Sequence, residues 1–385
     1  MIYIACFTGS VALAYFANKA KDRKLFGLFS ILSILLPVLL AGLRDYSVGI
    51  DVKNYLYMDR FWAGAISAES LGDYLDYYLS LGLREPLFAL FIGAIAQFTG
   101  QYRVFLFLAH LVIMVGVYVG AFRMRHKVRP ELILFLFYVL YFNNSLNIIR
   151  QYMALAIIFA FFADLEERKF VRFLMVVLVC SLIHTTALLS LGWLVVYLLL
   201  YPQKKISAVK PGYLLGLSAL VVIGTVCLLP TVKLLMQIGI LSDKYTFFFA
   251  EEYSRMSFTR LALLIIEAVG IIFCYKKFRS DIPCGEYYLM HTVIFMCMQQ
   301  LAQFVVYGHR LVLYFALPNI VTILSIPRMM SDIKLQLPVL GTITLGGKQL
   351  RALAYVIILA LTCYYWYYQY VGARSSETYP YIFGF

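Results

Sequence analysis

The stretch LILFLFYVLYFNNSLNIIRQYMALAIIFAFFA, residues 132–163, contains a single charged residue, Arg150. A charged side chain is costly inside a lipid bilayer and is retained mainly where it faces protein or water. A polar break, NNSLN at 143–147, comes shortly before it. We therefore expect two membrane helices on either side of the break, with Arg150 at the tip of the hairpin that joins them.

The composition is that of a membrane protein built from helices. Hydrophobic residues make up 63% of the 385 residues and charged residues 14%, whereas a soluble domain has about 45–50% and about 25%. The mean hydropathy is +0.82. Residues 1–17 lack a basic start and a small-residue cleavage site, so we interpret them as a first membrane helix. We predict an all-α, polytopic integral membrane protein that forms one domain over residues 1–385.

The net charge of +13 reflects membrane topology and does not indicate nucleic-acid binding. Lysine and arginine concentrate in short cytoplasmic loops. Of the 33 in this chain, 21 fall in six clusters at 18–24, 123–129, 166–172, 203–210, 275–279 and 328–351. Placing all six clusters in the cytoplasm predicts about twelve membrane spans, near 2–17, 25–43, 103–121, 131–148, 150–164, 171–185, 187–201, 211–229, 259–275, 286–307, 310–327 and 352–370.

Two long segments then lie on the outer face. Residues 44–85 form the first outer loop, and its middle, 61–83, is rich in Tyr, Leu and Asp, which favours an amphipathic helix on the membrane surface. Residues 230–260 form the second outer loop. Residues 87–98 are apolar but short for a full crossing, so we interpret them as a re-entrant segment. A full crossing there would invert every later loop.

The same topology gathers charged and polar side chains at the outer face. They are Arg44, Asp51, Arg84, Glu85, Arg150, Gln151, His184, His309 and Arg310. Arginine is a bidentate donor to phosphate oxygens, and histidine exchanges a proton near neutral pH. Taken singly, each has a simpler explanation, such as an arginine that snorkels to lipid headgroups. Together they suit a substrate with a diphosphate head and a lipid tail.

Five short motifs follow one another along residues 40–315. They are Arg44 and Asp51 with Tyr55, Glu85-Pro86-Leu87-Phe88, Arg150-Gln151-Tyr152-Met153-Ala154, His184-Thr185-Thr186-Ala187, and Arg310 with Tyr314-Phe315. In this order and spacing the chain resembles the EpsG-type members of the Wzy polysaccharide polymerases. One departure is Ile50, where the family usually has threonine before the aspartate.

The resemblance implies a lipid-linked oligosaccharide polymerase with a GT-C-like fold that needs no metal and no cofactor. Such an enzyme transfers a glycan from undecaprenyl diphosphate to the free sugar end of another lipid-linked repeat unit. The expected place is the bacterial inner membrane, with the active face periplasmic. The expected partners are the lipid-linked donor and acceptor, membrane lipids and a copolymerase that sets chain length, with no nucleic acid.

For this reaction we expect Arg44, Arg150 and Arg310 to bind the diphosphate, because positioned cations stabilise the leaving group. His184 is the expected general base, with Asp51 and Glu85 as alternatives. Further substrate contacts are expected from Gln151, Arg84, Tyr55 and His309. Three other classes stay open at this point. They are a flippase of lipid-linked oligosaccharides, whose charges would lie near the bilayer midplane, an O-antigen ligase and a membrane acyltransferase.

Overall fold

The computed structural model describes residues 1–58, 60–202, 209–238, 258–303, 308–337 and 341–384. Helices make up nearly all of the regular structure. The first twelve are α1 (Ile2–Lys19), α2 (Arg23–Gly42), α3 (Ile50–Tyr57), α4 (Trp62–Ser67), α5 (Leu71–Ser80), α6 (Pro86–Thr99), α7 (Tyr102–Arg123), α8 (Pro130–Phe137), α9 (Asn143–Ser145), α10 (Ile149–Ala160), α11 (Ala163–Glu166) and α12 (Phe170–Ser181). The others are α13 (Leu191–Leu200), α14 (Pro211–Gln237), α15 (Phe258–Asp281), α16 (Gly285–Leu301), α17 (Gly308–Met329) and α18 (Gly347–Trp366).

Short irregular helices and one hairpin complete these elements. A wide helical turn, Tyr138–Phe142, joins α8 to α9, and a 3₁₀ helix, Thr185–Ser190, precedes α13. The strands β1 (Ile333–Leu337) and β2 (Gly341–Leu345) pair antiparallel, with Ile333 opposite Leu345.

The helical class and the membrane character agree with the sequence. Among the described residues, five helical stretches are long and apolar enough to cross a membrane: Arg23–Gly42, Tyr102–Arg123, Pro211–Leu228, Gly308–Met329 and Gly347–Gly372. Some of the other predicted spans correspond to shorter helices, such as α10 and α12 with 12 residues each, where a crossing needs about 17–25. The count of twelve spans therefore stays a prediction.

The described residues form two compact units, and the single domain over residues 1–385 stays a prediction. The first unit is Met1–Leu188 with Val356–Phe385, and the second is Leu189–Tyr355.

The segments predicted as outer loops are partly helical. Segment 44–85 contains three short helices, α3 to α5, where one was expected. Helix α5 is amphipathic, because Tyr74 and Tyr78 are buried on one face while Asp73 and Asp76 are exposed on the other. The predicted loop 230–260 begins inside α14, and its residues 239–257 lie outside the described residues.

Polar and aromatic side chains hold α1 against its neighbours in the first unit. The hydroxyl of Ser10 donates to the carbonyl of Ser33 in α2 at 2.6 Å and lies 2.6 Å from the hydroxyl of Tyr138. Phe7 stacks on Tyr138 with ring centroids 5.0 Å apart. These polar groups are buried, and inside a bilayer such groups need partners within the protein.

Helices α7 and α10 pack closely and run in the same direction. A Cβ on Gly116 would lie 2.6 Å from the backbone of Ala156, and a Cβ on Gly120 would meet the ring of Phe159. Small residues at such positions let two membrane helices approach. Later residues of α7 contact later residues of α10, so the two helices are parallel and their C-terminal ends lie side by side.

Ion pairs join the chain beyond those two helix ends. Nη2 of Arg123 lies 2.6 Å from Asp164, and Nε of Arg172 lies 2.5 Å from the same carboxylate. The basic clusters 123–129 and 166–172, both predicted to be cytoplasmic, therefore lie together. We call this the basic end of the first unit.

The cluster 18–24 belongs to the basic end as well. The side chain of Asn18 donates to Glu131, at the start of α8, at 3.2 Å. Phe26, early in α2, packs edge-on against Phe122 of α7. Three of the six predicted cytoplasmic clusters are thus at one end of one unit.

The polar break 143–147 lies at the opposite end, which we call the polar end, and segment 375–384 binds it. Nδ2 of Asn143 donates to the hydroxyl of Thr378 at 2.9 Å, and Nδ2 of Asn147 donates to the carbonyl of Ser376 at 2.9 Å. These bonds satisfy amides that the apolar run would otherwise leave without partners.

The same segment also pairs with the chain that follows α2. The backbone N–H of Asp45 donates to Ile382 at 2.9 Å, and that of Gly384 donates to Leu43 at 3.0 Å. The hydroxyl of Tyr381 donates to the carbonyl of Leu40 at 2.6 Å. Segment 375–384 therefore connects the end of α2 to the polar break.

Helix α6 starts and ends at the polar end. At its start, the N–H of Leu87 donates to the carbonyl of Leu182, just past α12, at 3.0 Å. Phe88 and Phe91 both pack on Phe105, in the first turn of α7, with centroids 6.2 and 6.1 Å away. Helix α6 therefore lies across the start of α7 and does not run along it, and the interpretation of this segment as re-entrant stays a prediction.

The second unit is held partly by buried polar groups. Asn319 of α17 donates to Glu267 of α15 at 2.8 Å and accepts from the hydroxyl of Thr292 of α16 at 2.7 Å. Glu286 accepts from the hydroxyl of Tyr201 at 2.9 Å. These contacts fix three helices against one another.

We expect Gly116→Ala to lower the stability of the protein, because the added methyl group meets the backbone of Ala156. Overpacking of this kind costs about 1–3 kcal/mol. Gly27→Ala is the matched control, since a Cβ there meets nothing within 4 Å. Thermal unfolding in detergent measures both variants, and equal midpoints would contradict the packing of α7 on α10.

We also expect the two ends of α6 to be accessible from one side of the membrane. Arg84→Cys and Gln101→Cys flank the helix and are exposed, so both should react with an impermeant thiol reagent in vesicles of one orientation. Arg125→Cys, at the basic end, should react only in the inverted vesicles. The unmutated protein, labelled in the same way, gives the background signal from the native cysteines. Labelling of the two flanks from opposite sides would show that α6 crosses the membrane.

Candidate functional site

Three residues from separate sequence motifs meet at the polar end of the first unit. Nη1 of Arg150 donates a charge-assisted hydrogen bond to Oε2 of Glu85. Nδ1 of His184 lies 2.7 Å from Oε1 of Glu85, and the backbone N–H of Thr185 donates to the same oxygen at 3.1 Å. Both oxygens of the carboxylate are therefore engaged. We call Arg150, Glu85 and His184 the Arg–Glu–His cluster.

Local structure places each member of the cluster. Arg150 is in the first turn of α10, where the helix dipole disfavours a cation. Glu85 precedes Pro86, which opens α6, as proline often does at this helical position. His184 follows the end of α12 and precedes the 3₁₀ helix. Helix stability does not account for Arg150, so the carboxylate of Glu85 is what holds it there.

Aromatic rings surround the guanidinium of Arg150. Its central carbon lies 5.0 Å from the ring centroid of Phe61, 5.4 Å from that of Phe88 and 5.9 Å from that of Tyr55. A cation within about 6 Å of a ring face is attracted to it. Rings and carboxylate together restrict the guanidinium, while 22% of the Arg150 side chain stays exposed.

The electrostatics of the cluster keep Glu85 ionised. Burial by itself raises the pKa of this carboxyl, but the hydrogen bond from His184 and the charge of Arg150 outweigh burial and hold the pKa below its ordinary value. An ionised carboxylate accepts hydrogen bonds and cannot donate them. Glu85 therefore accepts from each of its three neighbours at neutral pH.

Arg44 is at the polar end but binds the protein's own backbone. Its side chain is fully buried, and its two amino groups donate to the carbonyls of Ala41 at 2.9 Å and Leu146 at 2.8 Å. The structure thus gives Arg44 a structural position between the end of α2 and the polar break. It does not bring this guanidinium to the Arg–Glu–His cluster.

The other predicted site residues have separate positions. Tyr55 joins the cluster through its ring, whereas Gln151 is buried beside Arg150 in α10 and Arg84 is exposed. Asp51 is half-buried in the first turn of α3, where its N–H donates to Asn147 at 3.3 Å. His309 and Arg310 open α17 in the second unit, so their role in substrate binding stays a prediction.

Sequence reasoning missed two features of the site. Phe61 approaches Arg150 from a segment with no motif, and no local signal marks it. The N–H of Thr185 is a backbone donor, which a sequence does not reveal even when the residue sits in a motif. Both depend on how distant segments meet.

These observations define a class: a helical membrane protein with a partly enclosed cation, carboxylate and imidazole at the end of one helical unit. The family model of the EpsG family matches residues 27–383, nearly the whole chain. The chain therefore belongs to the EpsG family, and the family predicted from the five motifs is confirmed. This membership indicates a membrane polysaccharide polymerase. No curated protein and no solved structure matches the chain.

We expect the folded protein to lose stability at acid pH in part because Glu85 becomes protonated. Its pKa is lowered in the folded state, so its contribution is present above the ordinary pKa of a glutamate and is lost as the pH falls through the lower folded value. Thermal unfolding between about pH 7 and about pH 3 measures this loss, since the ordinary value is about 4.3. Glu85→Gln should lose less stability over that range than Glu69→Gln, an exposed matched control. Identical pH dependence in the two variants would contradict the ion pair.

Proposed function

We propose that this chain is a membrane glycosyltransferase that polymerises undecaprenyl-diphosphate-linked oligosaccharide repeat units. The observation that carries the proposal is the Arg–Glu–His cluster. It combines a permanent cation with an imidazole, and the two side chains are 22% and 20% exposed. Membership of the EpsG family supports a polysaccharide polymerase, and the cluster supplies groups that this chemistry needs.

Arg150 is the proposed partner of the diphosphate leaving group. Negative charge grows on the phosphate oxygens as the bond to the anomeric carbon breaks, and a positioned cation lowers that barrier. A guanidinium has five N–H donors, and the bond to Glu85 uses one nitrogen. Tyr55 also hydrogen-bonds to the guanidinium, so phosphate oxygens would bind at the part of the side chain that stays exposed, and no metal is required for the charge.

His184 is the proposed general base. The acceptor hydroxyl gives its proton to the imidazole while its oxygen forms a new bond to the anomeric carbon of the donor. The old bond between that carbon and the phosphate oxygen breaks, and undecaprenyl diphosphate leaves with the electron pair. A single displacement of this kind inverts the anomeric configuration, as expected of an inverting, metal-independent enzyme of the GT-C type.

The charge distribution of the first unit supports a periplasmic active face. Its basic end carries three Lys/Arg clusters, which the positive-inside rule assigns to the cytoplasm. The polar end, with the Arg–Glu–His cluster, then faces outward from the bacterial inner membrane. There a donor and an acceptor can keep their lipid tails in the bilayer while the sugars extend into water, and a copolymerase can reach the product.

Purified protein supplied with its lipid-linked repeat unit should produce a ladder of longer glycans, and a metal chelator should leave that ladder intact. We expect His184→Ala and Arg150→Ala to abolish the ladder. His126→Ala and Arg125→Ala are matched controls, because both residues are exposed at the basic end, and they should retain it.

Normal ladders from both site variants would contradict the site. Activity that vanishes with chelator and returns with a divalent cation would contradict the metal-independent mechanism. Transfer of one finished glycan to a different acceptor, with no ladder, would indicate a ligase instead.

A further inference from the structure

We infer that Glu85 is a positioning residue, which holds His184 with its proton on Nδ1 so that Nε2 receives the proton of the acceptor hydroxyl. The inference rests on the proposed function for its chemistry and on the hydrogen bonds of Glu85 for its geometry. It replaces the expectation that Glu85 competes with His184 as general base.

Two fixed donors bind the carboxylate of Glu85. Oε2 accepts from Arg150, and Oε1 accepts from the backbone N–H of Thr185 at 3.1 Å. Both groups can only donate, because neither a guanidinium nitrogen nor a backbone N–H accepts a hydrogen bond. A carboxylate held by two fixed donors is strongly favoured in its ionised form.

The ionised carboxylate determines which nitrogen of the His184 imidazole carries a proton. Nδ1 of His184 lies 2.7 Å from Oε1, and an ionised carboxylate can only accept from it. Nδ1 must therefore carry the proton. In a neutral imidazole the other nitrogen is then the acceptor, so Nε2 has the lone pair that a base requires.

Glu85 itself is unsuited to act as the base. Its side chain is 10% exposed, and its two oxygens already accept three hydrogen bonds. Those bonds and the nearby guanidinium hold its pKa below the ordinary value, which makes it a weak proton acceptor. The same features make it an effective partner for the imidazolium that forms when His184 takes up a proton.

Backbone contacts hold Glu85 and His184 in a fixed arrangement. Glu85 and His184 belong to segments that are 99 residues apart in the chain. The bond from the N–H of Leu87 to the carbonyl of Leu182, at 3.0 Å, ties these segments together next to the cluster. The backbone donor of Thr185 fixes Oε1 from the histidine's own turn. The orientation of His184 therefore depends on backbone contacts as well as on side chains.

The proton balance of the transfer follows from this arrangement. The acceptor hydroxyl proton moves to Nε2 of His184, and the imidazolium that results keeps its Nδ1–H bond to Glu85. The glycosidic bond between the acceptor oxygen and the anomeric carbon of the donor forms as the sugar–phosphate bond breaks, and undecaprenyl diphosphate leaves with the electron pair. Glu85 takes no proton at any stage, and Arg150 stays charged throughout.

Nitrogen NMR of the protein with ¹⁵N-labelled histidine tests the tautomer directly. The chain has five histidines, and His184→Gln identifies the signal that belongs to His184. We expect the Nδ1–H tautomer in the wild-type protein, unchanged in Glu69→Gln and lost or mixed in Glu85→Gln. An Nε2–H tautomer in the wild type would overturn the inference. This deciding observation is made on the wild-type protein, so it does not depend on whether Glu85→Gln folds.

Kinetics then separate positioning from folding. Glu85→Gln should lower kcat by about 10²-fold or more, with a smaller change in KM, and should move the acidic limb of the pH–rate profile to lower pH. The limb moves because the imidazolium loses its carboxylate partner. Glu85→Asp should restore part of kcat. A purely structural role would reduce the folded fraction without moving the limb, and an unmoved limb would overturn the inference.

The two proposals fail in different ways. A wild-type protein that makes no ladder but shows the Nδ1–H tautomer would contradict the proposed function and support the hydrogen bonds assigned to Glu85. A wild-type protein that makes the ladder while His184 is the Nε2–H tautomer would support the function and contradict the positioning role.

Discussion

A guanidinium in apolar surroundings needs a fixed counter-charge, and in this protein Glu85 provides it for Arg150. The two residues are 65 positions apart, so the ion pair determines where α6 begins relative to α10. His184 joins through the same carboxylate, which brings in the end of α12. Removing one partner of such an enclosed pair leaves an uncompensated charge, at a cost of about 3–5 kcal/mol. Three separate segments therefore depend on one carboxylate.

Charge also organises the first unit along its length. At the basic end, Asp164 is shared by Arg123 and Arg172, so acidic side chains partly neutralise the clusters that mark the predicted cytoplasmic side. At the polar end, the asparagine amides of the polar break donate to uncharged groups of segment 375–384, and buried Arg44 donates to the carbonyl of Leu146. The ion pair described at this end is that of the Arg–Glu–His cluster. The unit thus has two ends of different chemistry, joined by α7 and α10 where glycines allow close packing.

Sequence patterns predicted the parts of this structure that depend on local signals. Apolar runs gave the helical membrane class, and the ordered motifs gave the family. The three members of the cluster were each singled out because a charged or titratable residue at the edge of an apolar run is conspicuous. Their arrangement could not be predicted, since it depends on α6 lying across the start of α7. The binding of substrate by Arg44 stays a prediction, and tertiary packing turns its donors towards the carbonyls of Ala41 and Leu146.

The bonds between the polar break and segment 375–384 have a consequence for biogenesis. Asn143 and Thr378 are 235 residues apart, so the ribosome completes the partner long after the break has entered the membrane. Until then the asparagine amides have to be satisfied by water or by the translocation machinery, because an unpaired amide is costly in lipid. The polar end therefore folds late, after segment 375–384 has reached the same side of the membrane as the polar break.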